Sequence, residues 1–134
     1  MLGREEEEGI PVSFKYETDV TVGDFSVTSL DVYAWYSGGR VTKVPAGATF
    51  KLHADYYVAN SNAGITAWST AMSIWNVTDN IKESCDTHGA HTGGGSRWQQ
   101  DAKNVVMPDK ATTYRIKIHC NQKALAGEPP TDKW

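Results

Sequence analysis

Thr49-Phe50-Lys51-Leu52-His53-Ala54-Asp55-Tyr56-Tyr57-Val58 alternates without a break. Phe50, Leu52, Ala54, Tyr56 and Val58 share one phase, and Lys51, His53, Asp55 and Tyr57 share the other. Successive side chains of a strand point to opposite sides, so this period of two describes a strand with one face in a core and one in water. A helix would scatter the same apolar residues around its circumference. Val44-Pro45-Ala46-Gly47 leads in with turn residues, and Asn60-Ser61-Asn62-Ala63-Gly64 closes the stretch.

The same period recurs outward from there. Tyr114, Ile116, Ile118 and Cys120 fall on one face of a strand from Thr113 to Cys120, after a Pro108-Asp109 turn. This phase places Cys120 on the apolar side. Between Asp24 and Tyr36, Phe25 and Val27 keep one phase while Leu30, Val32, Ala34 and Tyr36 keep the other. A phase change near Thr28-Ser29 predicts a β-bulge or a bend between sheets. Val12 to Tyr16 and Val41 to Val44 read as shorter strands, and Asn104-Val105-Val106 as part of another within 98–107. Ile65 to Val77 fits either period, but its Ser and Thr content and its neighbours favour strand. Ile81 to Ser96, rich in Gly and Ser, reads as a loop. About seven short strands and no helix predict an all-β fold, a single antiparallel β-sandwich of immunoglobulin-like topology.

With 134 residues the chain has the length of one domain. Residues 1–9, with the acidic block Glu5-Glu6-Glu7-Glu8, read as a solvated tail, 10–124 as the sandwich, and 125–134, with Glu128-Pro129-Pro130, as an extended tail or linker. The start lacks the basic and then apolar pattern of a secretory signal. No run of about 18 apolar residues exists to cross a membrane as a helix. A net charge of −3 argues against nucleic-acid binding, which neutralises phosphates with a cation excess.

Pro45-Ala46-Gly47-Ala48-Thr49-Phe50-Lys51-Leu52, followed by Tyr56-Tyr57-Val58-Ala59-Asn60, resembles a passage of CARDB-like and related immunoglobulin-like domains. In those domains a small-Gly turn enters a strand and an Asn ends it. Met107-Pro108-Asp109 and Thr113-Tyr114-Arg115-Ile116-Lys117-Ile118 resemble the last hairpin of the same class. The resemblance spans residues 24–121 and departs from the class in the His- and Gly-containing segment 81–97. It implies an extracellular or cell-surface module for adhesion, spacing or assembly, with a protein partner or self-assembly, and it nominates no catalytic residue.

Three residue sets bear on function. Cys85 and Cys120, the only cysteines, would close a loop of about 35 residues as a disulfide, a constraint of about 4 kcal/mol in the chain-entropy model. Cys85, His88 and His91 have the chemistry of zinc ligands, with Cys120 or His119 available as a fourth, although the spacing matches no standard finger. Tyr33 and Trp35 alternate with Val32, Ala34 and Tyr36, so they face outward if the latter face the core. An outward Tyr-Trp pair is a contact patch, for protein or, by stacking on the C–H faces of sugar rings, for carbohydrate. No nucleophile elbow occurs, and Gly93-Gly94-Gly95-Ser96-Arg97 lacks the Lys-Ser/Thr ending of a phosphate loop. The chain therefore reads as a non-enzymatic module that uses no cofactor. A carbohydrate-binding module is the second reading and a small zinc-binding domain the third.

Overall fold

The computed structural model describes residues 9–62, 64, 68–91 and 95–121. Among the described residues ten strands run in order: β1 (Ile10–Lys15), β2 (Val20–Val22), β3 (Phe25–Tyr36), β4 (Gly39–Val41), β5 (Lys43–Val44), β6 (Thr49–Asn60), β7 (Trp68–Asn76), β8 (Ile81–His91), β9 (Gly95–Val106) and β10 (Thr112–Asn121). They form two sheets, ordered β5-β1-β10-β7-β8 and β2-β3-β6-β9, with β4 also paired to β3. All pairings are antiparallel except β1 with β10, which is parallel. Among the described residues there is no helix, and none is long and apolar enough to cross a membrane.

The two sheets meet through one core. Val27, Leu30, Val32 and Ala34 of β3, Phe50 to Val58 in the inward phase of β6, and Val105 of β9 pack against Val12, Met72, Ile74, Tyr114, Ile116 and Ile118 of the opposite sheet. This is a sandwich-like arrangement, and it forms because strands with one apolar face must bury it against another sheet. The inward phase of β6 is fully buried while Lys51 stays exposed, as the alternation predicts. β7 shows that the ambiguous 65–77 stretch is extended from Trp68 to Asn76. The phase change in β3 is a register shift between Thr28 and Asp31 against β6, with Ser29 at φ 58°. One extra residue there lets Val27 and Leu30 both reach the core.

Turns fix the strand ends. Pro45-Ala46-Gly47-Ala48 closes with Ala48 N–H donating to the Pro45 carbonyl, and Gly47 takes φ +81°, the left-handed position that glycine suits. Gly47 N–H donates to the Met107 carbonyl and Met107 N–H to the Ala48 carbonyl, which ties the start of β6 to the end of β9. At the other end Asn60, buried, accepts from Asn62 N–H and stops β6.

The segment 81–96, expected to be a loop, is largely strand: β8 spans Ile81–His91 and pairs with β7. β8 lies at the edge of its sheet, and Ile81, Lys82 and Glu83 are exposed. Backbone pairing holds it, so no apolar alternation marks it in the sequence. β9 is the corresponding edge of the other sheet, and its inward phase carries Arg97, Asp101 and Lys103. Charges on the inward phase of an edge strand discourage pairing with another chain along that edge.

Gly9 supplies a direct check of the β1–β5 junction. It has φ +94°, and a Cβ built there would lie 2.6 Å from the Val44 backbone carbon. Gly9→Ala should lower stability by more than about 1 kcal/mol, the strain of the conformation alone. Gly47→Ala, with nothing within 4 Å of its added carbon, should cost only that strain. Paired thermal or denaturant unfolding curves of the two variants check the order.

Candidate functional site

The outer face of the β2-β3-β6-β9 sheet gathers the richest set of chemistry-bearing side chains. Pairing registers define its rows. Trp35 of β3 lies opposite Lys51, and Lys51 opposite Asn104. Tyr33 lies opposite His53 and His53 opposite Ala102. Asp31 lies opposite Asp55 and Asp55 opposite Gln100. Thr28 lies opposite Tyr57 and Tyr57 opposite Trp98. Arg40 on β4 joins from the side, opposite Trp35.

These side chains order one another. The Tyr33 hydroxyl donates to Asp55 Oδ2 at 2.9 Å, and Gln100 Nε2 donates to Asp55 Oδ1 at 2.8 Å. Burial and this hydrogen bond push the Tyr33 phenol above its ordinary range, so it is a donor at neutral pH. Arg40 makes a two-pronged contact with Asp31, at 3.0 and 2.9 Å, and its guanidinium lies 4.4 Å from the centre of the Tyr33 ring. The hydrogen bonds that Arg40 donates to Asp31 hold its guanidinium more firmly in the charged form.

Ring contacts complete the strip. Tyr33 and His53 stack almost parallel, 2° between planes and 5.2 Å between centroids. Trp35 meets His53 edge to face at 6.1 Å, and Tyr57 meets Trp98 edge to face at 5.1 Å. Tyr57 also exchanges a hydrogen bond with Ser96 Oγ. Within this setting His53 Nδ1 is buried and has no hydrogen-bond partner. Trp98 remains 67% exposed and Trp35 41%.

Tyr33 and Trp35 therefore face outward together, as their phase predicts. Tyr57, His53, Asp55, Gln100, Arg40 and Trp98 join them, and only the registers reveal that company. The phase of β9 turns Trp98 to this same face. Trp98, Gln100, Ala102, Asn104 and Val106 continue one alternating phase back from the expected strand around Val105.

The expected Cys85–Cys120 disulfide does not form. Cys120 is a free thiol. Cys120 pairs with Thr70 and Cys85 with Ser73 on β7, which lies between their two strands. Two strand spacings and a three-residue offset put their Cα atoms about 14 Å apart. A disulfide tolerates no more than about 7 Å. Spacing along the chain permits the bond, and position in the sheet forbids it.

For the zinc reading, β8 carries Cys85, His88 and His91 along one strand, with His91 opposite Trp68 and His88 at the register shift between Thr87 and Gly89. The side chains of these three lie outside the described residues. Among the described residues no group of three potential ligands is close enough to hold a metal ion.

Two buried hydrogen-bonded pairs also carry titratable side chains. The Tyr56 hydroxyl donates to Asp101 Oδ2 at 2.7 Å inside the core, and Gln99 donates to Asp101 Oδ1 at 3.0 Å. This satisfies the carboxylate where water is absent. Ser73 and His119 share a 3.2 Å hydrogen bond on the other sheet, and both are buried. Nucleophilic catalysis needs a serine that a substrate can approach, which the burial of Ser73 opposes.

Comparison with known proteins returns no matching family model, no matching curated protein and no matching solved structure. The functional reading rests on the chemistry of these residues.

Burial pushes the Cys120 thiol from about 9 up to about 12. The folded state thus favours the neutral thiol, which is a poor nucleophile. Native protein at pH 8 should react with iodoacetamide at Cys120 far more slowly than denatured protein, as intact mass would show. The linked contribution to stability is fully present below about pH 9 and is lost as pH rises towards 12.

Proposed function

We propose that this chain is a non-catalytic interaction module, an immunoglobulin-like β-sandwich of an extracellular or cell-surface protein. The outer face of the β2-β3-β6-β9 sheet is its contact surface. One observation carries the reading. Of the five exposed large hydrophobic residues among those described, Trp35, Trp98 and Val106 belong to this face; the other two, Val77 and Ile81, flank the β7–β8 turn. Half-buried Tyr33, His53 and Tyr57 lie beside them. Exposed aromatic groups set in a rim of polar side chains mark an interaction site. Tyr, Trp and Arg, all present here, are the residues that most often carry binding energy at such sites.

The sandwich-like fold and the resemblance of residues 24–121 to CARDB-like domains support the surface placement. A disulfide has no part in that support. The non-catalytic reading draws on the neutral, half-buried Cys120 thiol and on the internal pairing of Asp31 with Arg40 and of Asp55 with Tyr33 and Gln100. These side chains already satisfy one another, so they shape a surface and leave no free acid–base pair poised for proton transfer.

The test immobilises the protein and challenges it with purified glycans, matrix proteins and the protein itself. A Trp35→Ser/Trp98→Ser variant should lose the binding while changing stability by less than about 1 kcal/mol, since both rings stand partly in solvent. A Val77→Ser/Ile81→Ser variant should retain it. The opposite pattern would move the contact surface to the β7–β8 turn.

A further inference from the structure

We propose that the outer face binds an uncharged glycan chain, laid along β6 and stacked on Trp98, Tyr57 and Trp35. This inference rests on that face being the contact surface, and it names the ligand.

Size comes first. The strip from Lys51 to Tyr57 spans seven residues of β6, about 20 Å, and three strands, about 10 Å. That is about 200 Å², whereas a stable protein interface takes about 800 Å² from each partner. The strip is too small for a second copy of this chain to be held by it alone. It is long and narrow, which suits a linear oligomer with several repeating contacts.

Charge comes second. The strip carries Arg40 and Lys51 against Asp31 and Asp55, two of each sign, and Arg40 is already clamped by Asp31. Neutralising a phosphate backbone or a sulfated chain requires an excess of cations, which this face lacks. Arg97 and Lys103, exposed at the β9 edge, belong to the opposite phase of that strand, level with Val58 and Leu52, and so stand off this face. An electrically balanced face complements an uncharged ligand.

Chemistry comes third. A sugar ring has an apolar C–H face and a rim of hydroxyls. The C–H face packs on an aromatic ring, and hydroxyls bond to planar side chains that donate and accept. Trp98 and Tyr57 offer rings at one end of the strip, Trp35 and Tyr33 at the other. Between them lie Asp55 and Gln100, whose positions are fixed by their own hydrogen bonds. The Tyr33–His53 stack and the Arg40 clamp hold the floor in place before any ligand arrives. A surface ordered in advance loses little conformational freedom on binding.

The experiment titrates the full chain with cellohexaose, xylohexaose and mannohexaose, following tryptophan emission and heat. A heparin hexasaccharide serves as the charged comparator, and sedimentation of the protein alone reports self-association. Binding of at least one neutral hexasaccharide is expected, weakening from hexasaccharide to disaccharide. Trp98→Ala should weaken it by about tenfold or more, as loss of one stacked ring predicts. Trp35→Ala should weaken it in the same direction, and Ile81→Ser should leave it unchanged. Binding of the heparin fragment alone would overturn the inference, because the balanced-charge argument would then be false. Failure of every neutral glycan would overturn it as well. If self-association or a protein ligand were then lost in Trp98→Ala, the contact-surface reading would stand without the glycan. Glycan binding indifferent to both tryptophans would overturn the inference and the contact-surface reading together.

Discussion

The structure depends on the uninterrupted period of two in β6. This strand is paired on both sides, to β3 and to β9, and every second residue from Phe50 to Val58 is buried. Slipping its register by one residue would exchange Phe50, Leu52, Tyr56 and Val58 for Lys51, Asp55 and Tyr57 in the core. Burying such a set of charged and polar groups without partners costs several kcal/mol for each, so the register is strongly specified. The same constraint that builds the core therefore presents Lys51, His53, Asp55 and Tyr57 to the outside as one row. Core and candidate site are two consequences of a single alternation.

The neighbours of β6 are adapted to it. The bulge between Thr28 and Asp31 brings two apolar runs of β3 into one core, and it leaves Asp31, Tyr33 and Trp35 beside Asp55, His53 and Lys51. The turn at Gly47 pins the beginning of β6 to the end of β9, which sets the register that places Trp98 next to Tyr57. Inside, Asp101 on β9 is satisfied by Tyr56 on β6, a buried polar bond that fits only this pairing. Burial and the nearby Asp101 charge raise the Tyr56 phenol well above its ordinary range, so it stays a donor to that carboxylate.

What was legible in the sequence follows from how each strand is stabilised. β6 and β10 bury one face and leave one exposed, and such strands write their structure as alternation. The outward direction of Tyr33 and Trp35 was legible for the same reason, by opposition to Val32 and Ala34. β8 was not, since an edge strand can be held by backbone hydrogen bonds that any side chain permits. The cysteines misled because loop length sets the entropy of a disulfide, while geometry decides whether it forms, and β7 stands between the two. His53, Asp55, Gln100 and Arg40 could be seen as polar residues but not as a cluster. Their association is a matter of register between strands distant in sequence, and no local pattern encodes it.

Native-state hydrogen exchange tests most directly whether β6 organises the rest. A strand paired on both sides and buried on one face should open only when the whole domain unfolds. The β6 amides bonded to β3 and β9 should exchange at the rate set by global unfolding, and their exchange should shift with denaturant as the global transition does. The outer edges of β8 and β9 should exchange through smaller local openings. Exchange of β6 as fast as that of β8, insensitive to denaturant, would contradict an organising role for β6, since the face would then rest on a strand that opens by itself.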